Sequence, residues 1–143
     1  MFDVNITGTS FEIKMSATLE NIDVADDRLA EYLASGKIPI DSFAIRILLR
    51  EGLLNAVSHG SDLDSAKTVS FTLCVETEGV RVKICDSGDG FEMQQCEASI
   101  DDLEEGGRGL ALMKIYSDNM DFNNIGNEVT LYKRYEADVS ISR

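Results

Sequence analysis

Three pairs of short apolar segments, each pair separated by only a few residues, constrain the fold of this chain more than any other feature. The pairs are residues 4–7 with 11–15, 68–76 with 80–85, and 120–123 with 128–135. Such short connections join antiparallel neighbours, because a parallel pair needs a long crossover. The pattern predicts a mostly antiparallel sheet and argues against the strict strand–helix alternation of a dinucleotide-binding fold.

Helical periodicity occupies three of the remaining segments, residues 22–34, 42–59 and 110–117. Either Asp41 or Ser42 can cap the second helix, and Gly60 follows its last turn as a stop signal. At 143 residues the chain is long enough for one domain with a real core. We therefore expect a single α/β (α+β) domain over residues 1–143, with about three helices.

The composition of the chain argues against nucleic-acid binding and against insertion into a membrane. The net charge of −13, from 26 acidic and 13 basic residues, argues against nucleic acid, which selects a basic surface. No apolar run is long enough to cross a membrane, and the N-terminus lacks the pattern of a signal peptide. The odd number of cysteines (Cys74, Cys85 and Cys96) and the absence of a CxxC pair favour reduced thiols and a cytoplasmic protein.

The second helix carries a carboxylate and a carboxamide within an apolar run. On a helical wheel Glu51 and Asn55 share a face with Ala44, Ile47, Leu48, Leu54 and Ser58, whereas Arg46 and Arg50 mark the solvent side. One interpretation is a polar helix end that faces a wet cleft. The other is a ligand role, in which Asn55 offers an oxygen to Mg²⁺ and Glu51 accepts a proton.

A second motif, Asp86-Ser87-Gly88-Asp89-Gly90-Phe91, directly follows a predicted strand. The Asp86 carboxylate can accept a hydrogen bond from an exocyclic amine, which distinguishes adenine from guanine. Gly88 and Gly90 allow a close approach of the backbone to a ring. Taken alone, the motif is more often an ordinary acidic turn.

A third motif, Gly106-Gly107-Arg108-Gly109-Leu110, leads into the predicted third helix, which starts at Leu110. Free N–H groups at a helix start favour phosphate, and Arg108 can add a charge-assisted contact. A flexible loop end is the alternative, and no P-loop signature is present. The preceding acidic residues 92–106 lack periodicity and predict a mobile loop.

His59, the single histidine, is interpreted as a helix-end packing or capping residue, because no zinc set or hydrolase triad accompanies it.

In this order, E-x-x-x-N-A-x-x-H-G, D-x-G-x-G-F and G-G-R-G-L-x-L-M resemble the GHKL ATPase superfamily, and most closely its stand-alone anti-sigma-factor serine/threonine kinases. The resemblance covers residues 41 to about 135. It implies a Bergerat-type two-layer sandwich with the helices on one face of the sheet, and ATP and Mg²⁺ as ligands. It also assigns an N box at 51–60, an adenine-side box at 86–91, a lid at 92–106 and a phosphate-side box at 106–110.

The same resemblance implies roles for individual residues. Glu51 would be the catalytic base, and Asn55 would bind both the nucleotide and Mg²⁺. The remaining ATP-binding residues would be Asp86, Gly88, Gly90, Gly107, Arg108 and Gly109.

The implied activity is that of an ATP-dependent protein serine/threonine kinase. Its substrate would be a small anti-sigma antagonist of the STAS type; the resemblance also admits a sigma factor as the inhibited partner, and a homodimer. Two alternatives stay open: a nucleotide-gated protein-binding module without turnover, and the catalytic fragment of a two-component sensor kinase.

Overall fold

A computed structural model describes residues 1–36, 38–61, 63–86, 107–123 and 127–136 of this chain. Six strands form one sheet: β1 (Phe2–Ile6), β2 (Ser10–Ser16), β3 (Thr68–Val75), β4 (Gly79–Asp86), β5 (Asn119–Phe122) and β6 (Glu128–Arg134). Three α-helices lie within the same described residues: α1 (Leu19–Gly36), α2 (Ser42–Asn55) and α3 (Gly107–Tyr116). A π-helical segment, Ala56–Gly60, continues directly from α2.

The strands are arranged in the order β1-β2-β3-β4-β6-β5, and every neighbouring pair is antiparallel. The three predicted hairpins are therefore confirmed. Because β6 lies between β4 and β5, the last hairpin enters the sheet by its second strand. This order sets the start of β6 beside the end of β4, where Cys85 pairs with Glu128.

The core lies between the helices and one face of the sheet. Alternate strand residues point toward this face, and Ile13, Phe71, Ile84 and Val129 form one cross-strand row within it. Each of these side chains is at most 6% exposed and packs in a single cluster with buried residues of α1 and α2. The expected α+β sandwich with three helices over an antiparallel sheet is confirmed.

The boundaries of the helices differ from the sequence-based expectation. Helix α1 begins at Leu19 rather than residue 22, because Thr18 Oγ1 accepts the Asn21 N–H and supports an earlier turn. Of the two predicted caps for α2, Asp41 rather than Ser42 is the N-cap, since its side chain accepts the Ala44 N–H at 3.2 Å. Helix α3 begins at Gly107, three residues before the expected start, so the third motif lies partly inside the helix.

The buried face of α2 is also rotated from the predicted one. Its buried residues are Ala44, Ile45, Leu48, Leu49, Gly52 and Leu53, whereas Leu54, which the wheel placed on the apolar face, is 40% exposed. Glu51 and Asn55 therefore lie at the edge of the buried face, half-buried, instead of interrupting it. On the other flank, Arg46 and Arg50 do not simply face solvent but bind Asp26 of α1.

Candidate functional site

The first and third motifs meet where α2 packs against α3. Gly109 is buried, and a Cβ atom added to it would lie 3.1 Å from Glu51 Oε1 and 3.4 Å from Asn55 Oδ1. A side chain at position 109 would therefore crowd both polar groups. The glycine keeps the start of α3 close to the carboxylate and the carboxamide without covering them.

The second motif reaches the same place from the sheet. Asp86 is the last residue of β4, as predicted, and its backbone N–H donates to Asn127 O at 2.9 Å. Asp86 and Asn55 line one small cleft. The structure thus brings Glu51, Asn55, Gly109 and Asp86 together from three separate elements.

The rest of the cleft is mostly apolar, with polar groups from the start of β6. Its other described lining residues are Gly52, Ala56, Ile84, Met113, Phe122, Asn127, Glu128 and Val129. This lining resembles that of ligand pockets, which combine apolar walls with a few placed polar groups. These residues were not predicted, because nothing in the sequence indicates that β6 lies beside β4.

Among these lining residues, Gly52 has a clear steric role. A Cβ atom at this residue would overlap Ile84 Cδ1 of β4 and would lie 3.5 Å from Met113 Sδ of α3. Gly52 therefore lets α2 approach the sheet and α3 closely. The signal was present in the sequence as a glycine inside a helical pattern, which indicates close packing when it does not end the helix.

Several predicted site residues fall outside what the structure describes. Gly88 and Gly90, together with the predicted lid at residues 92–106, lie outside the described residues, as do the side-chain surroundings of Gly107 and Arg108. His59 lies in the last turn of the π-helical segment and is exposed, so it ends the helix as expected but does not pack in the core.

The arginine that neighbours Glu51 forms its ion pairs with helix α1. Arg50, the neighbour of Glu51, donates to Asp26 Oδ2 at 3.1 Å and to Asp23 Oδ1 at 3.0 Å. Burial alone would raise the pKa of Asp26, but the hydrogen bonds from Arg46 and Arg50 outweigh it and lower that pKa below its ordinary value. Arg50 is thereby held away from Glu51.

The described side chains at this site do not form a metal centre by themselves. Among the described residues, no group of three histidine, cysteine or acidic side chains could hold a metal ion. Mg²⁺ characteristically takes one or two protein oxygens and completes its shell with phosphates and water. The Asn55 carboxamide beside the Glu51 carboxylate fits that mode of binding.

Comparisons with known proteins identify a family. The family model described as "Histidine kinase-like ATPase domain" matches residues 15–133. A protein named serine-protein kinase RsbW from Oceanobacillus iheyensis is 21% identical over 140 residues, which cover 91% of this chain and 89% of the relative. An anti-sigma F factor from Anoxybacillus flavithermus is 26% identical, with 82% and 85% covered, and serine-protein kinase RsbW of Bacillus subtilis is 28% identical, with 64% and 62% covered.

Proposed function

This chain belongs to the histidine kinase-like ATPase domain family, and from that premise we propose that it is a Mg-ATP-dependent protein serine/threonine kinase of the anti-sigma type. Relatives that are similar over most of their length carry the names serine-protein kinase and anti-sigma F factor. The observation that carries the proposal is the close approach of Gly109 to Glu51 and Asn55, because it brings a helix start suited to phosphate near a candidate base.

The adenine would lie in the cleft shared by Asp86 and Asn55. Its exocyclic amine would donate to the Asp86 carboxylate, and the apolar walls at Ile84 and Met113 would contact the ring. The phosphates would then extend toward the start of α3. There Gly109 leaves room beside Asn55, and Arg108 would contribute positive charge.

In the transfer step, a serine or threonine hydroxyl of the partner protein attacks the γ-phosphorus of ATP. A new bond forms between the hydroxyl oxygen and phosphorus, and the bond to the β–γ bridging oxygen breaks, so that ADP leaves. Glu51 accepts the hydroxyl proton. Mg²⁺, held with the help of Asn55, would supply positive charge to the phosphate oxygens.

The partner in this proposal is a small STAS-type protein, and a sigma factor is the regulated target. The cytoplasm is the proposed compartment. Both described cysteines, Cys74 and Cys85, are free thiols, which fits a reducing environment. Within the described residues, no helix is long and apolar enough to span a bilayer.

The test is incubation of the protein with ATP labelled on the γ-phosphate and with the STAS-domain proteins encoded beside it, followed by mapping of the labelled residue. We expect label on one serine or threonine of a single partner, and much slower labelling with Glu51→Gln. If the wild type labels no partner but forms a complex only when ATP is present, a nucleotide-gated binding module would replace the kinase.

A further inference from the structure

Strand β1 lies at one edge of the sheet, where the core is only half covered. Phe2, Val4 and Ile6 each pair with a β2 residue that is 0% exposed, and directly paired residues share a face of a sheet. Phe2 and Val4 are nevertheless only half-buried, and Ile6 is 50% exposed. Within the described residues, no further strand lies beside them. Their partners on β2 are Met15, Ile13 and Phe11.

The backbone of β1 also directs alternate polar groups away from β2. The Thr7 N–H, just after β1, donates to Ser10 O at 2.9 Å. In an antiparallel ladder, residues two apart on one strand direct their N–H and C=O groups the same way. The odd-numbered residues of β1 therefore bond to β2, whereas Phe2, Val4 and Ile6 direct both backbone groups toward the free edge.

The two edges of the sheet differ in how they resist pairing with another strand. Natural edge strands are commonly short or carry charges, proline or bulges. At the far edge, β5 has four residues, of which Asn119 and Asp121 are exposed. In contrast, β1 has five residues in continuous register with β2, no proline and one charged residue, Asp3. Strand β1 is therefore the edge better suited to accept another strand.

Strand β1 is complementary to a second copy of itself. When Val4 lies opposite Val4 of the second copy in an antiparallel pair, Phe2 lies opposite Ile6 of the second copy, and Asp3 opposite Asn5. The apolar side chains then meet on the core side, and no like charges face each other. All the free groups of Phe2, Val4 and Ile6 are used, in three pairs with two hydrogen bonds each. Six such bonds lie within the range of about 10 ± 5 found in protein interfaces.

Other registers use this edge less well. Placing Phe2 opposite Val4 of the second copy leaves Ile6 without a partner and sets Asp3 against its own copy, and like charges directly opposite are destabilising. The reverse shift leaves Phe2 without a partner. A shift by one residue sets apolar side chains against polar ones. The register centred on Val4 is thus the one that the strand itself selects.

Electrostatic repulsion opposes this contact. Each copy carries a net charge of −13, and Asp3 keeps its charge at the interface. The driving forces are therefore the backbone hydrogen bonds and the burial of apolar side chains. Salt screens the repulsion, since the Debye length falls from about 10 Å at 0.1 M to about 3 Å at 1 M. Added salt should strengthen the contact, whereas it weakens an interface held by opposite charges.

Self-pairing through β1 leaves the candidate cleft uncovered. In the sheet order, β4 lies three strands from β1, which is about 14 Å at about 4.8 Å per strand. Asp86, at the end of β4, and the other described lining residues therefore lie away from the contact.

We propose that two copies of this chain pair antiparallel through β1, about a two-fold axis at Val4, so that their two six-stranded sheets become one. The interface is isologous, because each copy contributes the same strand. This inference does not rest on the proposed kinase function. Its test is the association of the purified protein with itself.

Sedimentation of the wild type over a concentration series should show a monomer–dimer equilibrium that shifts toward dimer as salt is added. Ile6→Ser should raise the Kd of the dimer by about tenfold or more, because it removes an apolar anchor from both copies. Ile115→Ser is the matched control: it is the same substitution at an isoleucine that is 69% exposed on α3, and it should leave the Kd unchanged.

A backbone substitution tests the edge itself. Val4→Pro removes an N–H that faces away from β2, a position where edge strands tolerate proline, and should raise the Kd by about 100-fold or more. A melting curve shows whether this variant keeps the fold. If it does not fold, Ile6→Ser and the exchange experiment below decide the question.

Amide hydrogen exchange, followed by NMR, gives a signature of the register. In the dimer the Val4 and Ile6 amides should exchange slowly, and dilution to monomer should make them fast. The Asp3 and Asn5 amides, which bond to β2, should stay protected at both concentrations. This alternation is expected for strand pairing at β1 and not for contact through a helix.

Three results would overturn the inference. One is a wild-type protein that stays monomeric up to about 0.5 mM in about 0.5 M salt, where charge repulsion is screened. Another is a dimer whose Kd is the same in the wild type and Ile6→Ser, which would place the contact elsewhere. The third is a dimer in which the Val4 and Ile6 amides still exchange fast. Each result leaves the proposed phosphotransfer unaffected, because that activity is measured separately with labelled ATP.

Discussion

Helix α2 carries polar groups on two flanks, and the flanks differ in how those groups are satisfied. Toward α1, Arg46 and Arg50 both bind the buried Asp26, at 2.8 and 3.1 Å. Toward α3, Glu51 and Asn55 face the bare backbone of Gly109, and no described side chain forms an ion pair with Glu51. The paired flank joins two helices, whereas the flank that faces Gly109 is the one on which we propose that ATP and Mg²⁺ bind.

The largest effect is expected on the flank of α2 that faces α3. Glu51→Gln should lower the rate of phosphotransfer by about two to four orders of magnitude, because glutamine cannot accept the hydroxyl proton. ATP affinity and the melting temperature should stay near wild-type values, since the two side chains have almost the same shape. Single-turnover transfer to the labelled partner measures the effect. Transfer at the wild-type rate would show that the carboxylate is not the base.

The next effect concerns base selectivity in the same cleft. Asp86→Asn should weaken ATP binding by about 1.5–3 kcal/mol, which is typical of a lost hydrogen bond to a charged group. Wild-type protein should bind GTP much more weakly than ATP, because guanine presents an acceptor to the Asp86 carboxylate. Calorimetry with both nucleotides measures the difference. Equal affinities for ATP and GTP in the wild type would contradict an adenine role for Asp86.

On the flank of α2 that faces α1, we expect a substitution to lower the stability of the fold without a specific loss of phosphotransfer activity. Asp26→Asn should lower the free energy of unfolding by about 1–2 kcal/mol, less than for a fully buried pair, because the released arginines regain water. Their side chains are already 44% and 43% exposed. Asp23→Asn is the control: Asp23 is 71% exposed, so its loss should cost about 0.5 kcal/mol or less. Urea unfolding measures both values.

The stability difference between wild type and Asp26→Asn should depend on pH, and the direction of that dependence follows from the pKa shift of Asp26. The pairing lowers the folded-state pKa of Asp26 below its ordinary value, so its stabilising contribution is fully present above the unfolded-state pKa of about 3.9. It is lost as the pH falls through the lower, folded-state pKa. The stability difference between wild type and Asp26→Asn should therefore be constant near neutral pH and shrink only below about pH 4. A difference that disappears between pH 6 and 8 would contradict this assignment.

The smallest effect is expected for Gly109→Ala, which should weaken ATP binding without an equal loss of fold stability. In Gly109→Ala the added Cβ atom would lie 3.1 Å from Glu51 Oε1, and ATP affinity should fall by about tenfold, or 1.4 kcal/mol. Alanine favours a helix over glycine by about 1 kcal/mol, so the fold should not be destabilised to the same degree. Gly36→Ala at the end of α1, whose Cβ would meet Ile38 at 3.4 Å, is the matched control and should leave ATP affinity unchanged. If Gly109→Ala bound ATP with wild-type affinity, the space between position 109 and the side chains of Glu51 and Asn55 would be wider than we infer.

Local sequence was sufficient for the elements and for most candidate residues. The hairpins followed from alternating patterns around short turns, and the Asp41 cap followed from its own side chain. Glu51 and Asn55 stood out because a carboxylate and a carboxamide, four residues apart, came within an apolar run. The rotated face of α2 was the error. A run rich in leucine and isoleucine fits more than one buried face, and packing against α1, α3 and the sheet selected the face centred on Leu48 and Gly52.

The sequence by itself determined an antiparallel α+β domain and a set of chemically suited residues in three motifs. Only the tertiary structure decided that Gly109 lies against Glu51 and Asn55, that Asp86 lines the same cleft, and that Arg50 turns away to Asp26. Periodicity and capping act over a few neighbouring residues, so they can be read along the chain. Contacts between α2, α3 and β4 join residues more than twenty positions apart in the sequence, and the packing of one common core fixes which of them meet.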